Sequence, residues 1–594
     1  MSDKRSLFTF LAGAAVILLY VSLFVGSNYW LSLFSQAVIY TMLAISLQLI
    51  FGFAGQVSLA HAAFFGIGAY TSAILTLHLG WPFIIAFFVA GAAAAIGSLV
   101  LSPMAKLREV YFAMSSLAFN LILIIIFANG GRWTGGWNGL VNVPYPNVFG
   151  WVVNTKKEFF IISFVILVIQ YLFMRRLTSG RLGRNFRAIR DNQLAAASIG
   201  VNIGLTKTKG FILGCFWAGL AGSLMVHMYA FVSPEPFAFT ESVNILLMVV
   251  LGGLGSFPGA MLGGLGVTFL NEWLKEIPLY RPIIYGLFVI IMMIFWPNGL
   301  YGLFSKFSPR KKQSSAQVKN NLAFIANEFK SPSPSGEVLL ETIGVSKSFG
   351  GVKAVQDVSV TVRMGEVFGM IGPNGAGKTT FINIVSGLEP PTSGQIRFAD
   401  QNISRADMYK ASRLGMARTF QTSRLFNSMT VLENVVAGTT TNVKNDIGLP
   451  LLQSRAFREE EERATNLAMF LIRFVGLDGM AHELCGNLAY GHRRLVEIAR
   501  AVASKPKMIL MDEPAAGLNL KERHELRDLI LRVRNEFGIT VFIVEHDLKL
   551  LLETCDRMTV LNFGEKIAEG NPHEVVNDEK VVQAYLGRRS REHA

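Results

Sequence analysis

The chain has 594 residues, of which 51% are hydrophobic and only 16% charged, and its mean hydropathy of +0.41 is high for a soluble protein. Cys215, Cys485 and Cys555 are odd in number and far apart, which excludes a disulfide framework and a metal-ligand cluster built on them. The net charge of +14 lies largely in short loops beside apolar segments; that pattern points to the cytoplasmic side of a membrane rather than to nucleic acid.

Lys4 and Arg5 precede an apolar run over 7–25 with no small-residue cleavage site after it, so this run reads as a retained first span rather than a signal peptide. About 20 apolar residues cross a ~30 Å hydrocarbon core. Candidate spans run over 7–26, 31–51, 57–79, 82–103, 109–129, 159–177, 208–232 and 282–303. With the N-terminus inside, counting crossings places Lys106, Arg108, Arg175 and Arg176 inside as well. The loop that follows, with Arg181, Arg184, Arg187, Arg190, Lys207 and Lys209 against only Asp191, is cytoplasmic.

Two stretches are broken by glycine. In FGFAGQVSLAHAAFFGIGAY (51–70), glycines surround Gln56, Ser58 and His61. Polar groups at membrane depth face a bundle interior or a water path, and here inter-helix hydrogen bonding competes with solute contact as their role. By the same count 233–242 lies outside. The stretch 243–275, interrupted at Gly252, Gly253, Gly255, Pro258 and Gly259, must then either cross twice or re-enter and return. Breaks of this kind often line the substrate path of transporters, the alternative being a tight hairpin between two short spans. The expectation is nine to ten apolar segments with both termini inside. The external loop 130–140, GGRWTGGWNGL, suits the membrane interface or an external partner.

From 305 to 336 the sequence turns to Ser, Pro, Lys and Asn, the composition of a linker. The expected organisation is a polytopic α-helical membrane domain over 1–304, the linker over 305–336, and an α/β nucleotide-binding domain over 337–594. In that last part, VFGMIGPNGAGKTTFINIVSG (367–387) is an apolar strand, a Gly-rich turn and a helix, the context that gives the phosphate-loop pattern its meaning. Gly372, Gly375 and Gly377, with Pro373, Asn374 and Ala376 between them, let the backbone N–H groups of the loop close around phosphate oxygens, and the helix N-terminus at Lys378, Thr379 and Thr380 adds its positive end. Lys378 reaches the β/γ-phosphates of ATP, and the Thr379 hydroxyl faces Mg²⁺. PKMILMDEP (506–514) is a buried strand ending in Asp512, suited to Mg²⁺, and Glu513, suited to orienting or deprotonating water. His546 ends the next apolar strand and can donate to the γ-phosphate.

Taken in order, the phosphate loop, Gln421 in RTFQTSRLF, NLAYGHRRLVEIARA (487–501), Asp512-Glu513, AGLN (516–519) and His546 resemble the cassette of ABC transporters over roughly 338–590. The resemblance implies that Phe349 stacks on adenine and that Gln421 serves both Mg²⁺ and catalysis. It also implies that Leu488 and Gly491 form the signature, written here Leu488-Ala489-Tyr490-Gly491-His492 without the usual serine. More narrowly, 51–73, TGGWNGL, GGLGSFPGAMLGG and WPNGL resemble the permease of bacterial branched-chain amino acid importers, and the cassette resembles that system's ATPase. The chain is thus similar to two subunits joined end to end.

The resemblance makes 187–202 the coupling segment that docks the ATPase, with Arg187, Arg190, Ala195, Ala196 and Gly200 in it and leucine at 194 where the family has glutamate. It implies a bacterial inner-membrane location, a second permease and a second ATPase (a homodimer ranking lower), and an external solute-binding protein. Leucine, isoleucine and valine lead as solutes, with urea, short amides and other amino acids as alternatives. An exporter half-transporter fits the short loops poorly, and a tethered non-transporting ATPase fits the intact hydrolytic residues poorly.

Overall fold

The computed structural model describes residues 2–107, 109–277, 279–296, 299–302, 336–442 and 454–586. The expected linker, apart from Gly336, and Arg108 lie outside them. Two compact units emerge, and their division does not follow the chain: Met1–Phe186 and Gly204–Gln313 form one, while Arg187–Ile203 belongs with Ser314–Ala594.

The first unit contains ten apolar helices among the described residues: α1 (Ser2–Phe24), α2 (Asn28–Leu47), α3 (His61–Leu77), α4 (Phe83–Ser98), α5 (Glu109–Asn129), α6 (Lys156–Thr178), α9 (Ile203–Tyr229), α10 (Phe239–Gly252), α11 (Phe257–Trp273) and α12 (Arg281–Phe295). Between α6 and α9 come two short helices, α7 (Arg181–Asp191) and α8 (Gln193–Ser198), and two short antiparallel strand pairs lie in the loops, β1 (Leu140–Val141) with β4 (Phe231–Val232) and β2 (Asn147–Val148) with β3 (Trp151–Val152). By length and composition four helices can each cross a membrane: α2 continued to Phe53, α5, α6 and α9. The most apolar stretches of the α2 segment and α9 are 83% and 78% buried against 22% for α5, so α2 and α9 are central and α5 is peripheral. Glycines let the backbones meet there: Gly68 faces Gly219, and Gly222 faces Phe65, leaving no room for a Cβ.

Both glycine-broken stretches are real breaks. α2 passes into a π-helical turn, Gln48–Phe53, and the backbone is irregular until α3 begins at His61. The segment 243–275 is a helical hairpin, α10 and α11, joined through Gly253 and Gly255 at φ +113° and +81°, a conformation that a side chain would strain. The Ser256 hydroxyl caps α11 by accepting from the Gly259 N–H.

In the second unit, strands β5 (Val338–Phe349), β6 (Val352–Arg363), β8 (Ser393–Phe398) and β9 (Gln401–Asn402) form an antiparallel sheet in the order β6-β5-β8-β9. The second sheet runs β10-β11-β12-β7-β13-β14. Its strands are β7 (Val367–Ile371), β10 (Met416–Arg418), β11 (Met508–Asp512), β12 (Thr540–Val544), β13 (Arg557–Asn562) and β14 (Glu565–Gly570). All its pairs are parallel except β13–β14. The residues of β7, β11 and β12 are all buried, which is why these runs are continuously apolar rather than alternating. Strand ends at Ile371, Asp512 and Val544 therefore come out side by side on one edge.

Candidate functional site

That edge carries the phosphate loop. Gly375 and Gly377 sit at φ +84° and +96°, which lets the loop close tightly before the helix Lys378–Val385 begins. Lys378 is buried and its ammonium donates to the carbonyls of Gly372 at 2.6 Å and Pro373 at 3.1 Å. Burial lowers its pKa, opposed by the negative charges of Glu513, Asp512 and Glu545. Thr379 is exposed and Thr380 half-buried at the helix start. Phe349, at the end of β5, exposes 48% of its surface, as a stacking ring must, with the Lys347 ammonium 5.0 Å from its centre. Asn374 is exposed, Pro373 half-buried and Ala376 buried.

Gln421, Glu513 and His546, which stand far apart in sequence, come together. The Gln421 amide donates to Glu513 Oε2 at 2.9 Å, and His546 Nδ1 lies 3.8 Å from the same oxygen. Glu513 adopts φ +45°, an unusual conformation for a side-chain-bearing residue, held by its N–H to the Val544 carbonyl at 2.8 Å. Asp512 is almost fully buried. Its Oδ2 pairs with Arg418 at 3.1 Å, while its Oδ1 has no partner. Burial raises the Asp512 pKa and Arg418 pulls it back down. A buried carboxylate oxygen without a partner and an exposed threonine hydroxyl at the start of the phosphate-loop helix are oxygen donors of the kind a hard cation takes, so Asp512 and Thr379 fit Mg²⁺.

Several residues of this site were not singled out from sequence. Arg418 also bonds Ser386 and Asn383, both at 2.7 Å, tying the phosphate-loop helix to Asp512. Glu545 is fully buried, accepting from the Ala515 N–H at 2.7 Å and the His546 N–H at 3.0 Å. It stands next to His546 in VFIVEHD, so the same motif contained it.

The signature region precedes the helix Tyr490–Ala503. Its N-cap, Ala489, offers no side-chain hydrogen bond, as the missing serine implies. Leu488 is buried, and a Cβ at Gly491 would stand 2.8 Å from Glu522 Oε1, the end of a side chain that can move aside. One face of this helix carries Arg494, Glu497 and Arg500, each no more than 3% exposed. Arg494 donates to the carbonyls of Phe420 and Gln421 and to Glu497 at 3.1 Å, and lies 3.4 Å from the Glu513 carbonyl. Glu497 accepts the Phe420 N–H at 3.2 Å, and Arg500 donates to the Arg424 carbonyl at 2.8 Å. The loop bearing Gln421 is thus gripped along its backbone by three buried charges at helical spacing.

The same loop receives the segment 187–203. Ala188, Ile189, Ala195, Ala196, Ile199 and Val201 form one apolar cluster with Phe426, Met429 and Ala437. Arg187 pairs with Glu433 at 3.0 Å, the Ser428 N–H donates to Asp191 at 2.7 Å, and the Ser412 hydroxyl donates to the Ser198 carbonyl at 2.9 Å. Arg190 turns to Asp191 at 3.6 Å, and Gly200 makes its turn at φ +74°. Leu194, where the family pattern has glutamate, packs beside Ala197, Met408 and Phe420.

In the helical unit the three polar residues of 51–70 part company. His61 Nε2 is hydrogen-bonded to Ser46 at 2.7 Å, an inter-helix bond from α3 to α2. Ser58 is fully buried, its hydroxyl 3.4 Å from the Ala60 N–H. Gln56 is 2% exposed and both its side-chain amide atoms lack partners. The two breaks touch: Gln48, not singled out from sequence, donates to the carbonyls of Gly253 at 3.0 Å and Ser256 at 3.2 Å, and the rings of Phe53 and Phe257 stack at 4.8 Å. Gly252 packs against Gly259 across the hairpin.

Comparison with known proteins gives three family matches: residues 29–297 to the branched-chain amino acid transport system permease component, 355–516 to the ABC transporter family, and 565–590 to the branched-chain amino acid ATP-binding cassette transporter family. The high-affinity branched-chain amino acid transport ATP-binding protein BraF of Pseudomonas aeruginosa is 40% identical over 249 residues, covering 42% of this chain and 98% of that protein. LivG of Salmonella typhimurium, described in the same words, is 41% identical over the same shares. The probable LivG of Archaeoglobus fulgidus is 36% identical over 256 residues, 43% of this chain and 97% of its own.

Proposed function

Because this chain belongs to the branched-chain amino acid ABC transporter family, with permease and ATP-hydrolysing cassette in one polypeptide, we propose that it drives apolar amino acids into the bacterial cell across the inner membrane. Leucine, isoleucine and valine are the leading solutes. A single cassette and a single permease unit make it half of a transporter, completed by a second permease, a second ATPase and an external solute-binding protein. Both termini lie on the cytoplasmic side, consistent with the basic loop 175–209.

The reading rests above all on one observation. A segment lodged between two apolar helices packs into the very loop whose Gln421 reaches Glu513. Movement of this loop therefore has to be felt at both ends. In hydrolysis Lys378 exchanges the carbonyls of Gly372 and Pro373 for the β/γ-phosphates, at little loss because one set of acceptors replaces another. Glu513 orients the attacking water and takes its proton, Gln421 sets the position of that carboxylate, and His546 donates to the γ-phosphate. Mg²⁺, held by Asp512 and Thr379 with Gln421 nearby, would neutralise charge on the phosphates. Phe349 stacks on the base, and Leu488 with Gly491 presents the signature helix start to the nucleotide of the paired cassette.

Uptake into proteoliposomes containing the full complex and its binding protein tests this, comparing leucine, urea and a cationic amino acid. Leucine entry that requires ATP supports the reading. Urea entry without leucine entry contradicts it.

A further inference from the structure

Inside the helical unit, the starts of α3 and α10 meet. The Ala62 N–H, in the first turn of α3, donates to the Ser242 hydroxyl in the first turn of α10 at 3.1 Å. Phe237, just before α10, is not a surface residue of an external loop. Its ring lies 5.2 Å from that of Phe65, and its carbonyl accepts from the Asn120 amide at 3.3 Å. The stretch 233–242 thus turns Phe237 and Ser242 into the bundle, while Glu235, Pro236, Phe239 and Thr240 stay exposed. Helix starts carry unsatisfied N–H groups and a positive end, so two of them converging within a transporter suit a carboxylate.

Two further observations point to a ligand. Gln56, on the irregular approach to α3, and Asn120, on α5, are both almost completely buried. Both amide atoms of the first and Oδ1 of the second have no partner. Glu241 then stands beside Ser242 on the first turn of α10. It accepts from Asn244 at 3.1 Å, the Tyr40 phenol of α2 approaches the same carboxylate, and no cationic side chain among the described residues balances it. Glu241 is half-buried, and a carboxylate so placed on a helical bundle without a counter-charge is open to a cation from outside.

Resting on the amino acid reading above, we propose that this convergence is the solute-holding site of the permease. Glu241 receives the α-ammonium of a zwitterionic amino acid, and the two helix starts with Gln56 and Asn120 receive its α-carboxylate. Such a site favours zwitterions over urea and short amides, which bring no positive charge to Glu241.

The test uses the complete transporter in proteoliposomes with its binding protein, measuring leucine and urea entry and solute-independent ATP hydrolysis. Glu241→Gln should lower leucine entry about tenfold or more while leaving basal hydrolysis near the parent's, and Glu241→Asp should keep more entry than Gln. Gln56→Leu forfeits no hydrogen bond, so it should fold normally and still weaken leucine entry. If the parent carries leucine and Glu241→Gln carries it equally well, or if all three variants lose entry and hydrolysis together, the assignment is overturned while the importer reading stands. If the parent carries urea and not leucine, the amino acid reading fails and this site falls with it.

Discussion

Arg494 offers the sharpest test of how the cassette transmits motion. Replacing it with Met keeps its bulk but strands Glu497, whose side chain is 1% exposed, without its closest cation at 3.1 Å. Breaking one side of a buried pair costs about 3–5 kcal/mol. For a unit of this size that corresponds to a fall in melting temperature of about 10 °C. Arg494→Met with Glu497→Met removes both charges but leaves the buried Arg500 without the carboxylate 4.0 Å from it, so the double variant recovers only part of the loss. Both variants loosen the Gln421 loop: the single variant loses the bonds to the carbonyls of Phe420 and Gln421, and the double variant also loses the bond to the Phe420 N–H. The expectation is therefore a split: the double variant melts above the single variant, yet its transport per ATP hydrolysed stays as low or lower. Thermal melts in detergent, read beside coupled uptake and ATPase rates, decide it. A double variant with normal stability and normal coupling would refute the grip on this loop.

Other outcomes follow from the same geometry. Glu513→Gln should bind ATP like the parent and turn over about a hundredfold more slowly or worse, checked by nucleotide binding and phosphate release. Arg418→Met should leave the buried Asp512 without its counter-charge and weaken Mg²⁺-dependent nucleotide binding, which titration at varied Mg²⁺ measures. Ala196→Asp places a charge inside the apolar cluster with Phe426 and Met429 and should sever uptake from hydrolysis. Arg187→Ala should do far less, since that pair is partly exposed and worth at most about 1 kcal/mol.

The contrast between what the sequence disclosed and what it hid has a physical basis. The phosphate loop, Asp512-Glu513 and His546 are legible because each ends a continuously apolar run, a local signal that needs no partner. Arg494, Glu497 and Arg500 look like the solvated face of an amphipathic helix; only the returning loop at 420–424 buries them. Arg418 carries no local mark either, since its meaning lies in a carboxylate 94 residues away. In the helical unit, glycine breaks foretold where the helices stop. They did not separate the bonded His61 from the unpartnered Gln56, because that depends on which neighbour arrives. Counting crossings places 233–242 outside and says nothing of its packing, whereas the helix carrying Glu241 begins at Phe239, two residues after the buried ring of Phe237.

The central claim, that phosphate-loop chemistry in one unit powers solute movement in the other, is tested most directly by uptake with Lys378→Ala in the reconstituted complex. The account predicts that ATP-dependent leucine entry falls to the level seen without nucleotide. Entry at the parent's rate would contradict it.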